Sequence, residues 1–416
     1  MLAIAVLYLV APALALDNGL ARTPPMGYNS WYDVECSAGM TEESMKRVAD
    51  RMVELGLDRL GYRYLNLDDC WAKGRTGDGT IYADKSAFPS GTLKELADYV
   101  HSRGLLFGTY TDRGTKTCGG RPGAQGYESI DAKAYASWGV DYLKEDSCYA
   151  STDHAVAFAQ YGKMRDALNA TGRPVLFSLC GWNDWYAPVG ASLGNAWRTG
   201  PDDTDWPGVL KNIDVLAGLE RYAGPGGWND PCLLLSKTWQ GRERMTELQS
   251  RAQFSMWAVL AAPLLISGSL FEMSTYTLAT YTNKEVIAVS QDPLGKAGSR
   301  IAGGSLEGGG PRRGGSLASM PAGTNVWARP LADGSHALVF LNAGGAAADV
   351  TCGPDCFARI AVGGSDRLAA RDLWAATDLP DVAGATFTAR ALAPHGGHLM
   401  IAVKALPKEE SQAVLV

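Results

Sequence analysis

Between about residue 26 and residue 270 the chain repeats one pattern: a short apolar or β-rich segment, a polar or aromatic end, then a stretch of helical period. The segments are MGYNSW (26–31), YRYLNLDDCW (62–71), LLFGTYTD (105–112), VDYLKEDSC (140–148), PVLFSLCGW (174–182), NAWRT (195–199), WNDPCLLL (228–235) and APLLISGS (262–269). Of the stretches between them, TEESMKRVADRMVELG opens on Thr41 as an N-cap, with Glu42 and Glu43 in its first turn. It carries Met45, Val48, Met52 and Leu55 on one stripe and ends at Gly56. SGTLKELADYVHSRG and DHAVAFAQYGKMRDALN repeat that period. Apolar strands alternating with amphipathic helices predict a parallel sheet covered by helices. Eight such units predict a (β/α)8 TIM barrel over 16–294. An open doubly wound sheet is disfavoured because no GxGxxG follows the first strand.

The ends of the segments carry Trp31, Asp68 and Asp69, Asp112, Asp146, Trp182, Arg198 and Asp230. A barrel gathers such ends on one rim, its C-terminal face, where catalytic groups collect. Beyond residue 295 the texture changes: Gly/Ser-rich sequence over 303–323 reads as a loop. TNVWARPL, HALVFLNAG, AADVTC and HLMIAVKAL then predict an antiparallel β-sandwich within 295–416, with a turn at Ala332-Asp333-Gly334-Ser335.

Residues 2–16 are apolar and end in Ala13-Leu14-Ala15, the pattern of a secretory signal peptide over 1–15. The run is shorter than the ~20 residues a membrane span needs. Export makes disulfides among the eight cysteines admissible, and no cysteine spacing matches a zinc site. A formal charge of −6 gives no support for nucleic acid or an anionic membrane as partner. Asn169-Ala170-Thr171 is a glycosylation sequon.

YLKEDSC (142–148) is the richest single stretch. On a strand, period two puts Lys144, Asp146 and Cys148 on one face, toward the barrel mouth, and Glu145 on the other, toward the helices. Asp146 is therefore the better candidate for chemistry, with Lys144 beside it as a compensating charge. WRTGPDDTDW (197–206) brings Arg198, Asp202, Asp203 and Asp205 into a second acidic cluster. Two carboxylates across a barrel mouth suit hydrolysis of a glycosidic bond, one as nucleophile and one as acid then base. Asp68-Asp69 suits a polyhydroxylated ligand, and Trp31 and Trp182 offer flat faces to a sugar ring.

With RTPPMGYNSW, YLNLDDCW, GTYTDRGTKTC, SWGVDYLKEDSC, the R-x-x-x-D of Arg198 to Asp202, GPGGWNDP, APLLISG and EVIAVSQDPLG, the chain resembles the family 27 glycoside hydrolases, retaining α-galactosidases and α-N-acetylgalactosaminidases. The resemblance runs from about Leu16 to about Lys404. It implies Asp146 as nucleophile and Asp202 as acid/base. It further implies Asp68 and Asp69 on the sugar's O4 and O6, Lys144 toward O3, Arg198 toward O2, and Trp31 and Tyr110 lining the pocket. Cys118–Cys148, at the site wall, and Cys36–Cys70 match family disulfides. No metal or organic cofactor is implied, and the expected partner is a glycan or small molecule with terminal galactose, taken by a monomer or homodimer.

Departures fall at three positions. Glu145 stands where the family has an aromatic residue. Gly181 stands where α-galactosidases carry Glu and the N-acetylgalactosaminidases a small residue. Cys232 replaces an acidic pocket residue, which leaves it available to pair with Cys180, and Cys352 with Cys356 completes the set. The reading is therefore a secreted or lysosome/vacuole-like exo-α-galactosidase. The alternatives are the same mechanism on α-N-acetylgalactosaminides or β-L-arabinopyranosides, and a weakly active sugar-binding protein.

Overall fold

The computed structural model describes residues 18–306 and 320–406. The proposed signal peptide and most of the Gly-rich segment, including Arg312 and Arg313, lie outside the described residues. The first domain is built on strands β1 (Met26–Asn29), β2 (Tyr64–Asn66), β3 (Leu106–Asp112), β4 (Tyr142–Asp146), β5 (Leu176–Leu179), β6 (Ala196–Arg198), β7 (Trp228–Asp230), β8 (Leu234–Leu235) and β9 (Leu264–Ser267). All pair in parallel, in the order β8-β9-β1-β2-β3-β4-β5-β6-β7. Each expected segment supplies a strand, but WNDPCLLL supplies two. Its first half pairs with β6 and its second with β9, so Pro231, Cys232 and Leu233 close the ring through the chain rather than through a hydrogen-bonded ladder. Cys232 makes that break with φ +125°, a conformation side chains rarely adopt.

Helices α1 (Glu42–Glu54), α2 (Lys94–Ser102), α3 (Glu128–Trp138), α4 (His154–Ala170), α5 (Ala187–Leu193), α6 (Trp206–Leu216), α7 (Glu247–Val259), α8 (Thr275–Tyr281) and α9 (Lys284–Ser290) surround the sheet. Thr41 caps α1 as expected, exchanging bonds with Ser44 in a capping box, and Met45, Val48 and Met52 are buried. The β strands are buried on both faces because barrel side chains fill the inside while the helices cover the outside.

The second domain holds β10 (Ser299–Gly303), β11 (Thr324–Pro330), β12 (His336–Asn342), β13 (Ala348–Cys352), β14 (Leu368–Asp372), β15 (Thr377–Val382), β16 (Phe387–Leu392) and β17 (Gly397–Ala405). They form an antiparallel six-stranded sheet, β10-β11-β12-β17-β14-β15, faced by the pair β13-β16. On β12, Ala337, Val339 and Leu341 join the barrel's core, whereas Leu338 and Phe340 join the sandwich core. This two-sided burial explains why HALVFLNAG reads as a continuous apolar run without alternation. Polar bonds complete the seam: Arg329 Nη1 donates to Ala258 O at 2.7 Å and Arg371 pairs with Glu285 at 2.7 Å. Strands β14, β15 and β16 escaped the sequence reading because their exposed positions interrupt any apolar run, and β10 because it opens on Ser299 and Arg300 and is only five residues long.

Candidate active site

At the C-terminal ends of the strands, backbone direction alone delivers a ring of polar groups. Asn29 ends β1, Asp68 and Asp69 follow β2, Asp112 ends β3, Asp146 ends β4, Cys180 follows β5, Arg198 ends β6 and Asp230 ends β7. All are buried. Period two places Lys144 and Asp146 inward and Glu145 outward, as expected. Glu145 is enclosed near Asp112, Glu128 and Asp131, with neither carboxyl oxygen bonded, and burial raises its pKa well above the usual value. A neutral carboxyl there replaces the family's aromatic residue at the price of an unsatisfied polar group.

The Lys144 ammonium bonds not to Asp146 but to Asp68 Oδ2 at 2.8 Å, which Asn29 Nδ2 also reaches at 2.8 Å. This corrects the expected Lys144–Asp146 pair: Asp68, at the end of the next-but-one strand, takes the ammonium, and Asp146 takes other donors. Tyr110 donates its hydroxyl to Asp146 Oδ2 at 3.0 Å, and the Ser147 amide donates to Oδ1 at 2.9 Å. Asp69 accepts the Cys70 amide at 2.6 Å and the Gly119 amide at 2.7 Å. A side chain at Gly119 would run into Cys70 Sγ, 2.5 Å from an added Cβ, so glycine lets this loop reach Asp69.

Disulfides Cys36–Cys70, Cys118–Cys148 and Cys352–Cys356 are present. The second walls the site, since Tyr110 Oη lies 3.4 Å from Cys118 Sγ and the Cys148 amide donates to Asp112 Oδ2 at 2.8 Å. The expected Cys180–Cys232 bond is absent, and both are free buried thiols. Each is engaged elsewhere: Cys180 Sγ sits 3.7 Å from Arg198 Nη1, and Cys232 Sγ lies 3.9 Å from Tyr32 Oη. Arg198 Nη2 donates to Pro201 O at 2.9 Å and to Asp202 Oδ1 at 3.0 Å. Asp202 is the open member of the set, its side chain 49% exposed. Trp31 is half-buried at the mouth, its amide held by Asn29 Oδ1 at 2.8 Å, and Trp182 is half-buried above β5.

The two carboxylates differ electrically. Burial pushes Asp146 up to about 6, with Lys144 pulling it down and Asp202 adding to the rise. Burial also pushes Asp202 upward, but Arg198 and Lys144 outweigh it and hold the group below the usual carboxylate value. Each therefore senses a common field across the mouth.

A family model described as alpha galactosidase A matches residues 23–292, and one described as the alpha galactosidase C-terminal beta sandwich domain matches 322–402. The chain is a family 27 glycoside hydrolase. It is 40% identical over 391 residues to a probable alpha-galactosidase of Dictyostelium discoideum, covering 93% of this chain and 94% of that one. The fold overlays alpha-galactosidase I of Mortierella vinacea with TM-score 0.81 at 32% identity, covering 93% and 98% of the two chains. It also overlays the Saccharomyces cerevisiae alpha-galactosidase solved with raffinose, with TM-score 0.80 at 27% identity, covering 95% and 100%.

Against that family pattern, Gly181 does not open extra room for a larger sugar substituent. A Cβ added there would lie 1.8 Å from the buried Tyr186 ring, which already fills the space. Gly181 thus shapes the wall through Tyr186 and offers no side chain to substrate. Asn29 was missed in the sequence although it ends its strand as the other site residues do; a neutral amide carries little signal. Asp112 was seen only as a strand end, yet burial, reinforced by Asp146, raises it to about 8.

The family 27 site is an electrostatic load on the fold. Burial raises Asp33 and Asp146 to about 6 and Asp112 and Asp203 to about 8. Unfolded, these groups release protons near 4. Between about pH 4 and 8 the folded state therefore binds more protons, so stability falls as pH rises through this window. Thermal unfolding followed at fixed ionic strength is expected to show the midpoint dropping from about pH 4.5 to 8; a midpoint that rises over that span contradicts it.

Proposed function

We propose that this protein is a retaining exo-α-galactosidase in which Asp146 attacks the anomeric carbon and Asp202 protonates the leaving oxygen, then deprotonates water. The observation that carries this reading is Asp146 itself: a buried carboxylate at the end of β4, held by Tyr110 and Ser147 and within the field of Asp202 across the mouth. Tyr110 and the Ser147 amide fix the nucleophile, and each uses one lone pair, leaving others for attack. Asp68 and Asp69 close the base of the pocket with acceptor oxygens for hydroxyls, and the Lys144 ammonium beside Asp68 donates to another. Burial of both carboxylates, with Lys144 partly exposed beside them, suits a single terminal sugar entering end-on.

Burial holds the proton on Asp146 more firmly than on Asp202, the reverse of what the first step requires. A bound sugar corrects this. It excludes water from the half-exposed Asp202, which raises its pKa, and its O2 hydroxyl competes for the Arg198 donor that now lowers it.

Galactose rather than N-acetylgalactosamine is supported by the filled space behind Gly181, and galactose rather than arabinopyranose by the α-galactosidase relatives. The test is a panel of nitrophenyl α-D-galactopyranoside, α-N-acetylgalactosaminide and β-L-arabinopyranoside. The expected outcome is a kcat/KM at least about 10-fold in favour of the galactoside, the discrimination one well-fitted substituent gives; preference for either other sugar defeats the substrate assignment. Binding of galactose without turnover of any of the three defeats the catalytic one.

We also infer export to an extracellular or lysosome/vacuole-like compartment, supported by the apolar 2–16 run and by three disulfides. Mass spectrometry of the purified native protein should find a mature N-terminus just after Ala15; an intact Met1 contradicts it. Among the described residues no helix is long and apolar enough to cross a membrane.

A further inference from the structure

Arg113 directly follows β3, and its contacts fall on the end of β4, the loop after it and α4. Its amide donates to the Asp146 carbonyl at 3.0 Å, one step past the β3–β4 ladder. The buried guanidinium then spreads three ways. Nε donates to Ser147 Oγ at 2.9 Å, Nη2 to Ser151 O at 2.8 Å, and Nη1 to Gln160 Oε1 on α4. The Tyr161 hydroxyl lies 2.8 Å from the same Ser147 Oγ, so that hydroxyl is fixed from two sides. The Ser147 amide, in turn, is the donor to Asp146 Oδ1 at 2.9 Å. All three acceptors of the fork are neutral, and among the described residues no carboxylate bonds it. A buried cation so placed is weak support for stability. What it supplies is geometry: a planar, permanently charged group with divergent donors, which a lysine could not match.

We propose that Arg113 is a positioning residue for the nucleophile: by tying Ser147 and Ser151 to α4, it holds the Ser147 amide on Asp146 Oδ1 and keeps the carboxylate turned for attack. The inference rests on Asp146 being the nucleophile. A carboxylate held only by Tyr110 at Oδ2 could swing about its own side-chain bonds, and the second contact removes that freedom. Small losses of alignment at a reacting atom cost rate steeply. Arg113 touches no substrate. Asp68 and Asp69 draw their contacts from Lys144, Asn29, Cys70 and Gly119, none of which Arg113 holds. Sugar binding should therefore be spared and kcat should carry the loss.

Arg113→Met keeps the length and removes the donors; Ser147→Ala removes only the hydroxyl link and leaves the amide. R113M is expected to lower kcat on an aryl α-galactoside by about 10–100-fold and S147A by about 10-fold. The calorimetric Kd for galactose should stay within about threefold of the parent's in both, because ground-state contacts are untouched. R113M/S147A should be no more than about twofold slower than R113M, since both changes cut one path. A folded R113M with the parent's kcat overturns the proposal. So does one that loses galactose affinity as much as rate, and so do single losses that multiply in the double variant. Should R113M not fold, S147A decides alone: a lower kcat with galactose affinity kept supports the proposal, and the parent's kcat overturns it. If Asp146 is not the nucleophile, D146N keeps its turnover. If only this inference fails, D146N is inactive while the folded variants of the Arg113–Ser147 link run at the parent's rate.

Discussion

Asp146→Asn is expected to lower kcat on an aryl α-galactoside by about four orders of magnitude, the scale seen when a covalent nucleophile is lost. The amide cannot form the glycosyl-enzyme, because it is neutral and its nucleophilic oxygen is gone as an anion. The substitution is nearly isosteric: the amide oxygen keeps the Ser147 N–H, and the amide NH2 can donate to Tyr110 Oη, whose hydroxyl also accepts. It also removes a carboxylate that burial had pushed to about 6, so melting temperature near neutral pH should hold or rise. Loss of rate with a preserved melting curve assigns chemistry to Asp146. Proton NMR of the parent reaction should show the α-anomer of galactose released first; initial β-anomer contradicts a covalent intermediate on this residue.

Asp202→Asn is expected to act by leaving group. For a natural galactoside, whose alcohol must be protonated to depart, kcat should fall by about 10²–10⁴-fold. For dinitrophenyl galactoside, which leaves unaided, the first step should be spared and the second should limit. The parent's kcat/KM should be bell-shaped, since the free enzyme needs one proton shared by the pair: it falls above about pH 6, where Asp146 ionises, and again in acid below the depressed Asp202. Without Asp202 the field that raises Asp146 weakens, so the alkaline limb should flatten. A D202N enzyme with equal losses on both substrates and an unchanged limb removes Asp202 from the acid/base role.

Sequence alone carried the barrel, because each strand had to be apolar on both faces and each helix on one, and those two periods cannot be confused over so many repeats. It also carried the inward direction of Asp146 and the outward direction of Glu145, since the pleat fixes alternate side chains once the strand is recognised. The polar strand ends, from Asp68 to Asp230, were legible for the same reason.

What it could not carry was who bonds to whom between elements. Lys144 was read with Asp146, its strand neighbour, yet its ammonium found Asp68 on another strand, because four methylenes give it a reach that local spacing does not limit. Cys180 and Cys232 are an even pair in the sequence and remain thiols in the fold, the first beside Arg198 and the second beside Tyr32. Gly181 was an open question in the sequence, and the ring of Tyr186, five residues on, answers it. Period and polarity are properties of a segment, so the chain itself determined strands, helices and their faces. Charge pairing, proton affinity and the space left beside a glycine depend on distances between segments, and only the closed barrel set those.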